Sequence, residues 1–153
     1  MREGDKVEDF ELPDETGTKR SLGEFLERGP VVLFFYPAAM TYGCTKESCH
    51  FRDLKAEFEA VGAQRVGISA DPVDKQQQFS AKHGFDYPLL SDTDRRVAEQ
   101  FGVRRRGALP NKRVTFVIDQ DRTVLAVIAS EISMSRHADK ALEVLRARGA
   151  GAV

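Results

Sequence analysis

The sequence predicts an α/β fold: a central mixed β-sheet flanked by helices, with a small N-terminal β-hairpin ahead of it. Three observations carry this. Val31-Val-Leu-Phe-Phe-Tyr36 is apolar without alternation and rich in β-formers, as expected of a strand buried on both faces. Helical patterns alternate with further apolar runs after it. Late in the chain, Val114 to Ile118 and Thr123 to Ala129 flank Asp119-Gln-Asp-Arg122 as an antiparallel pair, and a final helix follows.

Taken in order, Phe10 to Leu12 and Thr18 to Arg20 form a hairpin around the Gly-containing turn Asp14 to Gly17. Ser21 caps a short helix that stops near Gly29-Pro30. Pro37 ends the central strand. After a loop containing Gly43, one helix carries Phe51, Leu54, Phe58 and Val61 as a single apolar stripe. Arg65 to Ala70 is the next strand, and Asp71-Pro72 supplies the N-cap and first turn of a helix reaching about His83. A short helix ends near Phe101-Gly102, and the last helix runs from about His137 to Arg148. This is the outline of a thioredoxin-like fold, although the pattern alone does not separate it from other three-layer arrangements.

With 153 residues, 41% of them hydrophobic, the chain suits one domain over residues 1–153. Lys plus Arg (23) nearly balances Asp plus Glu (24), so no global field favours nucleic acid or an anionic membrane. The longest apolar runs are far below the roughly 20 residues that span a bilayer. Met1 to Glu11 is mostly charged and has no signal-like apolar core. Two cysteines are too few for a disulfide scaffold, so a reducing compartment such as the cytoplasm is expected. Arg104, Arg105, Arg106, Lys112 and Arg113 form a cationic cluster that reads as solvated surface. His50, His83 and His137 lie on separate elements and form no recognisable triad.

The cysteines are the informative feature. Cys44 stands at the start of the helix after the central strand, where free N–H groups and the helix dipole favour a thiolate. Thr41 as N-cap would put Cys44 at the third helical position. On a helical wheel Cys44 falls about 60° from the centre of the apolar stripe and Cys49 about 160° from it, so one looks inward and the other outward. Five residues apart on an α-helix, their Cα atoms are separated by about 8.7 Å, whereas a disulfide needs less than about 7 Å. A bond between them therefore requires the helix to unwind. On spacing alone, both cysteines read equally well as buried small apolar residues. With His50 they also make C-x4-C-H, too few ligands for a structural zinc site.

At Phe35-Tyr-Pro-Ala-Ala-Met-Thr-Tyr-Gly-Cys-Thr-Lys-Glu-Ser-Cys49 the sequence resembles the peroxiredoxins, and among them the PrxQ group, also called bacterioferritin comigratory proteins. Pro37, Thr41 and Cys44 meet the family pattern P-x-x-x-T-x-x-C, and a second cysteine five residues on marks many PrxQ members. Gly4 to Pro13, Val66 to Ser69, Phe85 to Asp92 and Arg113 to Asp119 extend the resemblance over most of the chain. It implies a thioredoxin-like thiol peroxidase acting on hydroperoxides without metal, haem or flavin. Cys44 would be the peroxidatic cysteine and Cys49 the resolving one, recycled by thioredoxin or a similar dithiol. Thr41, Arg113 and the Cys44 N–H would hold the peroxide oxygens, with Pro37 shielding the thiolate. The resemblance leaves two other readings open: a one-cysteine peroxidase rescued by an external thiol, and a disulfide-switch redox sensor. A monomer is expected, with a dimer as the alternative.

Lowering a thiol pKa from about 8.5 to about 6 raises the thiolate fraction at pH 7 about thirtyfold, but lost nucleophilicity takes back about tenfold. Most of the rate must come from orienting the O–O bond and stabilising the leaving oxygen. Glu47 lies one turn beyond Cys44 at the centre of the apolar stripe, where an unpaired carboxylate is costly, so it should pair with an arginine or accept N–H bonds. The resemblance, in which a Glu here often orients the active-site arginine, implies a link to Arg113, direct or through another group. Tyr42 departs from the family, which usually has Pro there, and so loosens the loop and adds a ring beside the substrate mouth.

Overall fold

A computed structural model describes residues 1–151, with side chains as far as Arg148. The chain opens with the hairpin β1 (Glu11–Pro13) and β2 (Lys19–Ser21), antiparallel with Leu12 opposite Arg20. Ser21 caps α1 (Leu22–Leu26), its Oγ accepting from the Glu24 N–H at 3.2 Å. Then come β3 (Val31–Phe35), α2 (Tyr42–Asp53), α3 (Lys55–Ala60), β4 (Gln64–Ser69), α4 (Val73–His83), β5 (Leu89–Ser91), α5 (Arg96–Gln100), β6 (Val114–Ile118), β7 (Val124–Ala129) and α6 (Met134–Gly151).

The larger sheet has the order β5-β4-β3-β6-β7, with β3 at its centre. β3 pairs in parallel with β4 and antiparallel with β6, so the sheet is mixed. Both faces of β3 are covered, which is why its sequence lacks alternation. Leu33 and Phe35 enter one apolar cluster with the hairpin side, α1 and α5, whereas Val32, Phe34 and Tyr36 enter another with α2, α3, α4 and α6. Phe34 and Phe51 stack with ring centroids 4.2 Å apart, fixing α2 on the sheet.

Three expectations need correction. The single helix carrying the stripe from Phe51 to Val61 is two helices, broken at Leu54 (φ −93°, ψ 21°). A continuous helix would bond the Lys55 N–H to the Phe51 carbonyl, but Arg65 Nη1 donates to that oxygen at 2.9 Å. Asp71 does not cap α4. The N-cap position is Pro72, and Asp71 Oδ2 instead accepts from the Ala39 N–H at 2.7 Å and the Ser69 hydroxyl at 2.7 Å. The last helix begins at Met134, three residues before the expected start. The sheet also contains β5, a strand the sequence reading passed over.

Candidate active site

The site forms where β3 ends and β6 begins. Their antiparallel register sets Phe35 opposite Val114, which brings Arg113 beside the loop that leads from Tyr36 into α2. That loop is held from below by Asp71 at the Ala39 N–H. Met40 within it has a left-handed φ of 69°, an unusual conformation for a side chain with a Cβ. Pro37 is half-buried in the same loop.

Helix α2 starts at Tyr42, so Cys44 occupies the third helical position as expected, and its side chain is fully buried. The first helical bond runs from the Thr45 N–H to the Thr41 carbonyl at 2.9 Å. The N–H groups of Tyr42, Gly43 and Cys44 precede it and face the open end of the helix. Thr41 occupies the N-cap position, but its hydroxyl donates to the Ala38 carbonyl at 2.8 Å rather than capping the helix. With its hydrogen used there, Thr41 offers lone pairs to a ligand as an acceptor.

Arg113 Nη2 donates to Cys44 Sγ at 3.3 Å and Nη1 to Glu47 Oε1 at 2.8 Å. The link expected between Glu47 and Arg113 is thus present. It separates Arg113 from the solvated cluster in which the sequence placed it: Arg105 reaches out to Glu131, whereas the Arg113 side chain is only 8% exposed. Burial works against the guanidinium charge, but Glu47 and Cys44 outweigh it and hold the Arg113 pKa above its usual value. Glu47 is fully buried. Burial pushes its pKa up to about 8, against the pull of the Arg113 charge and hydrogen bond.

Cys49 is half-buried rather than outward-facing, and both cysteines are free. Burial pushes the Cys49 thiol up, with nearby Arg52 opposing, so in the intact helix it stays a thiol at neutral pH. Tyr42 is 85% exposed at the first helical position, its ring in solvent.

Gly43 has a close-approach role. A Cβ there would stand 3.2 Å from Arg113 Nη2 and 3.4 Å from Met134 Sδ, so any larger residue pushes the guanidinium aside. Alanine is also the better helix former by up to about 1 kcal/mol. Gly43→Ala is therefore expected to keep or raise the unfolding temperature while slowing, about three- to tenfold, the peroxide reduction that the resemblance implies, because small misplacements of reacting groups are costly. Stopped-flow rates beside melting curves check this, and an undiminished rate would show that the guanidinium position is slack.

The sequence shows no sign of Asp71 as the support of the loop, and it offers His137 only as a histidine on a separate element, with no part in the site. His137 is buried behind Glu47, with Nδ1 2.8 Å from the Thr115 hydroxyl and 3.5 Å from Glu47 Oε2. Nothing in the local sequence signals this, since positions 47, 115 and 137 lie on three different elements.

The model of the AhpC/TSA family matches residues 3–127. A Mycobacterium tuberculosis protein that carries the peroxiredoxin name is 64% identical over 99% of this chain and 100% of its own length. Peroxiredoxin Q of Suaeda salsa chloroplasts is 37% identical over 95% of this chain and 68% of its own. Among solved structures, peroxidoxin BcpB from Mycobacterium tuberculosis superposes with a TM-score of 0.94 at 65% identity, covering 96% of this chain and 97% of that one. PrxQ of Xylella fastidiosa gives 0.90 at 28% identity, covering 97% and 98%. The thioredoxin-like architecture is therefore shared over nearly the whole length, and by sequence and structure alike the chain belongs to the AhpC/TSA family, as a peroxiredoxin.

Proposed function

We propose that this peroxiredoxin reduces hydroperoxides with Cys44 as the attacking thiolate and Cys49 as the thiol that closes the cycle. The observation that carries the reading is the Arg113 guanidinium donating to the Cys44 sulfur at 3.3 Å, at the N-terminal end of α2. Thiol peroxidase chemistry is what the family performs. The sulfur attacks one peroxide oxygen, the O–O bond breaks, and the leaving oxygen takes a proton to become water or an alcohol. Cys44 is left as a sulfenic acid. Cys49 attacks it, water leaves, and a disulfide forms. A thioredoxin-like dithiol returns both thiols, so the cycle draws only on sulfur and needs no cofactor.

Arg113 and the unpaired N–H groups at the head of α2 are placed to stabilise charge on the leaving oxygen, which is where most of the acceleration must arise. By the family motif, Thr41 holds the peroxide and Pro37, in the loop that leads into α2, shields the thiolate. The substrates are hydrogen peroxide and organic hydroperoxides, a class supported by the alkyl peroxide reduction attributed to a Xanthomonas campestris bacterioferritin comigratory protein that is 32% identical to this chain. Residues 1–153 act as one domain, monomeric, in the cytoplasm. Among the described residues no helix is long and apolar enough to cross a membrane.

Both cysteines lie within one regular helix, Tyr42–Asp53, so the disulfide requires unwinding. The C-terminal half of α2 is anchored: the Ser48 carbonyl accepts from the Tyr87 hydroxyl at 2.7 Å and the Phe51 carbonyl from Arg65. One equivalent of peroxide is therefore expected to remove two hydrogens by mass, lower the helical signal, and expose amides 42–47 to exchange while those after Phe51 stay protected. Accumulated sulfenic or sulfinic acid would point instead to a one-cysteine cycle. A confirmed disulfide with unchanged amide protection would overturn the unwinding.

A further inference from the structure

His137, in the first turn of α6, is fully buried and has no part in the mechanism so far. Its Nε2 lies 2.8 Å from the Ser130 carbonyl oxygen. A carbonyl only accepts, so Nε2 carries a hydrogen. In the neutral ring Nδ1 is then a bare lone pair. Facing it at 3.5 Å is Glu47 Oε2, buried and without a hydrogen-bond partner, while Glu47 Oε1 takes Arg113. An ionised Glu47 beside a neutral His137 would set two lone pairs against each other in a water-poor interior and leave one carboxylate oxygen unsatisfied. One proton between them removes both conflicts. The Thr115 hydroxyl at Nδ1 both donates and accepts, so it suits either location of that proton.

We propose that Glu47 and His137 hold one shared proton behind Arg113, and that His137 is thereby a positioning residue that keeps the guanidinium charge directed at the Cys44 sulfur. Charge counting gives the reason. Without the proton, Glu47 neutralises Arg113, and a Cys44 thiolate adds an unbalanced buried negative charge. With it, Arg113 is the only charge of the inner cluster, and the thiolate balances it.

The neighbours that bear on this proton come from several elements. Glu131, after β7, lies 4.0 Å from Arg113 Nε and favours protonation of both groups. Arg113, before β6, and Arg136, beside His137 on α6, disfavour it on the imidazole. Burial raises Glu47 and lowers His137, which together place the proton on the Glu47 carboxyl, with the Thr115 hydroxyl then donating to Nδ1.

The inference rests on the roles proposed for Cys44 and Arg113, so its first test does not use activity. Infrared spectra of the reduced protein, compared with Glu47→Gln, report whether Glu47 is protonated, and nitrogen-15 spectra report the state of the His137 ring. A protonated carboxyl with neutral His137 is expected at pH 7, and an imidazolium beside an ionised Glu47 equally means one shared proton. An ionised Glu47 beside a neutral His137 at pH 7 would overturn the proposal whatever the enzyme's rate. The second test is the pH–rate profile of His137→Gln, once circular dichroism shows it folded. Its midpoint is expected to rise by about one unit, with the high-pH rate retained and the rate below the midpoint lowered about tenfold. A profile unchanged from wild type would remove the positioning role, and if the variant does not fold, the spectra of the wild-type protein still decide.

Discussion

Cys44→Ser is expected to abolish peroxide reduction, lowering it by at least about a thousandfold, the scale on which a covalent nucleophile is lost. A serine hydroxyl stays protonated near neutral pH, and its attack on a peroxide would make an O–O bond as weak as the one broken. The fold should survive. Cys44 is fully buried among apolar neighbours, but Arg113 already donates to the atom at this position, and a hydroxyl oxygen accepts from it as sulfur does. The unfolding midpoint therefore changes little while turnover with peroxide and a dithiol disappears. Cys49→Ser makes the contrast: it keeps the first, sulfenic-forming reaction and loses the disulfide. Residual turnover in Cys44→Ser above about one part in a thousand would mean that another group carries the chemistry.

Arg113→Met is expected to slow peroxide reduction by about 10²- to 10³-fold, the loss seen when one donor to a developing oxyanion is removed. It also leaves Glu47 buried without its cation, and breaking such a pair costs about 3–5 kcal/mol when the remaining charge persists. Glu47 is held up to about 8 even beside the guanidinium, so it is protonated at neutral pH, stays so without Arg113, and part of that cost is avoided. The sign follows. A carboxyl whose folded pKa exceeds its unfolded value near 4.5 binds more protons folded than unfolded, so stability falls as pH rises from about 4.5 through the folded value. Arg113→Met should therefore be more destabilised at pH 9 than at pH 6. The double variant Arg113→Met/Glu47→Gln should lose that pH dependence and regain stability, but not rate. Recovery of rate in the double variant would show that Arg113 serves only to neutralise Glu47. Arg113→Lys should stay slow as well, because one ammonium does not reproduce a planar fork that reaches Glu47 and Cys44 together.

These two variants separate what is written locally from what is assembled. The motif Pro37, Thr41, Cys44 and the spacing to Cys49 are legible because the cysteine proposed to react, its helix terminus and its loop are contiguous. The pairing of Glu47 with Arg113 was also within reach, since a carboxylate on an apolar stripe demands a partner and the family resemblance pointed to the arginine at the head of a strand. The roles of His137 and Asp71 were not. Asp71-Pro72 satisfies a local capping pattern, yet the carboxylate turns to the Ala39 N–H, a donor that sequence distance conceals. His137 meets Glu47 only because α6 packs beside α2, and a lone histidine in a helix carries no signal of that neighbour.

The same division holds for the fold. The unbroken apolar run from Val31 to Tyr36 determined the central strand, and the turn at Asp119 to Arg122 determined the terminal hairpin of the sheet, because burial and turn geometry act within a few residues. β5, three residues long, is too short to show a period, and it exists because β4 offers it an edge, with Gly67 to Ser69 pairing Leu89 to Ser91. The break at Leu54 likewise depends on Arg65 taking a helix carbonyl across space. By itself, then, the sequence determined the layers of the sheet and the mismatch between the Cys44–Cys49 spacing and a disulfide, both consequences of short-range sterics and periodicity, while a family motif singled out Cys44. Only the tertiary structure decided where the charges meet, since a buried cation is shared by whichever acids the packing brings within reach, and for Arg113 those are Cys44 and Glu47, with His137 behind.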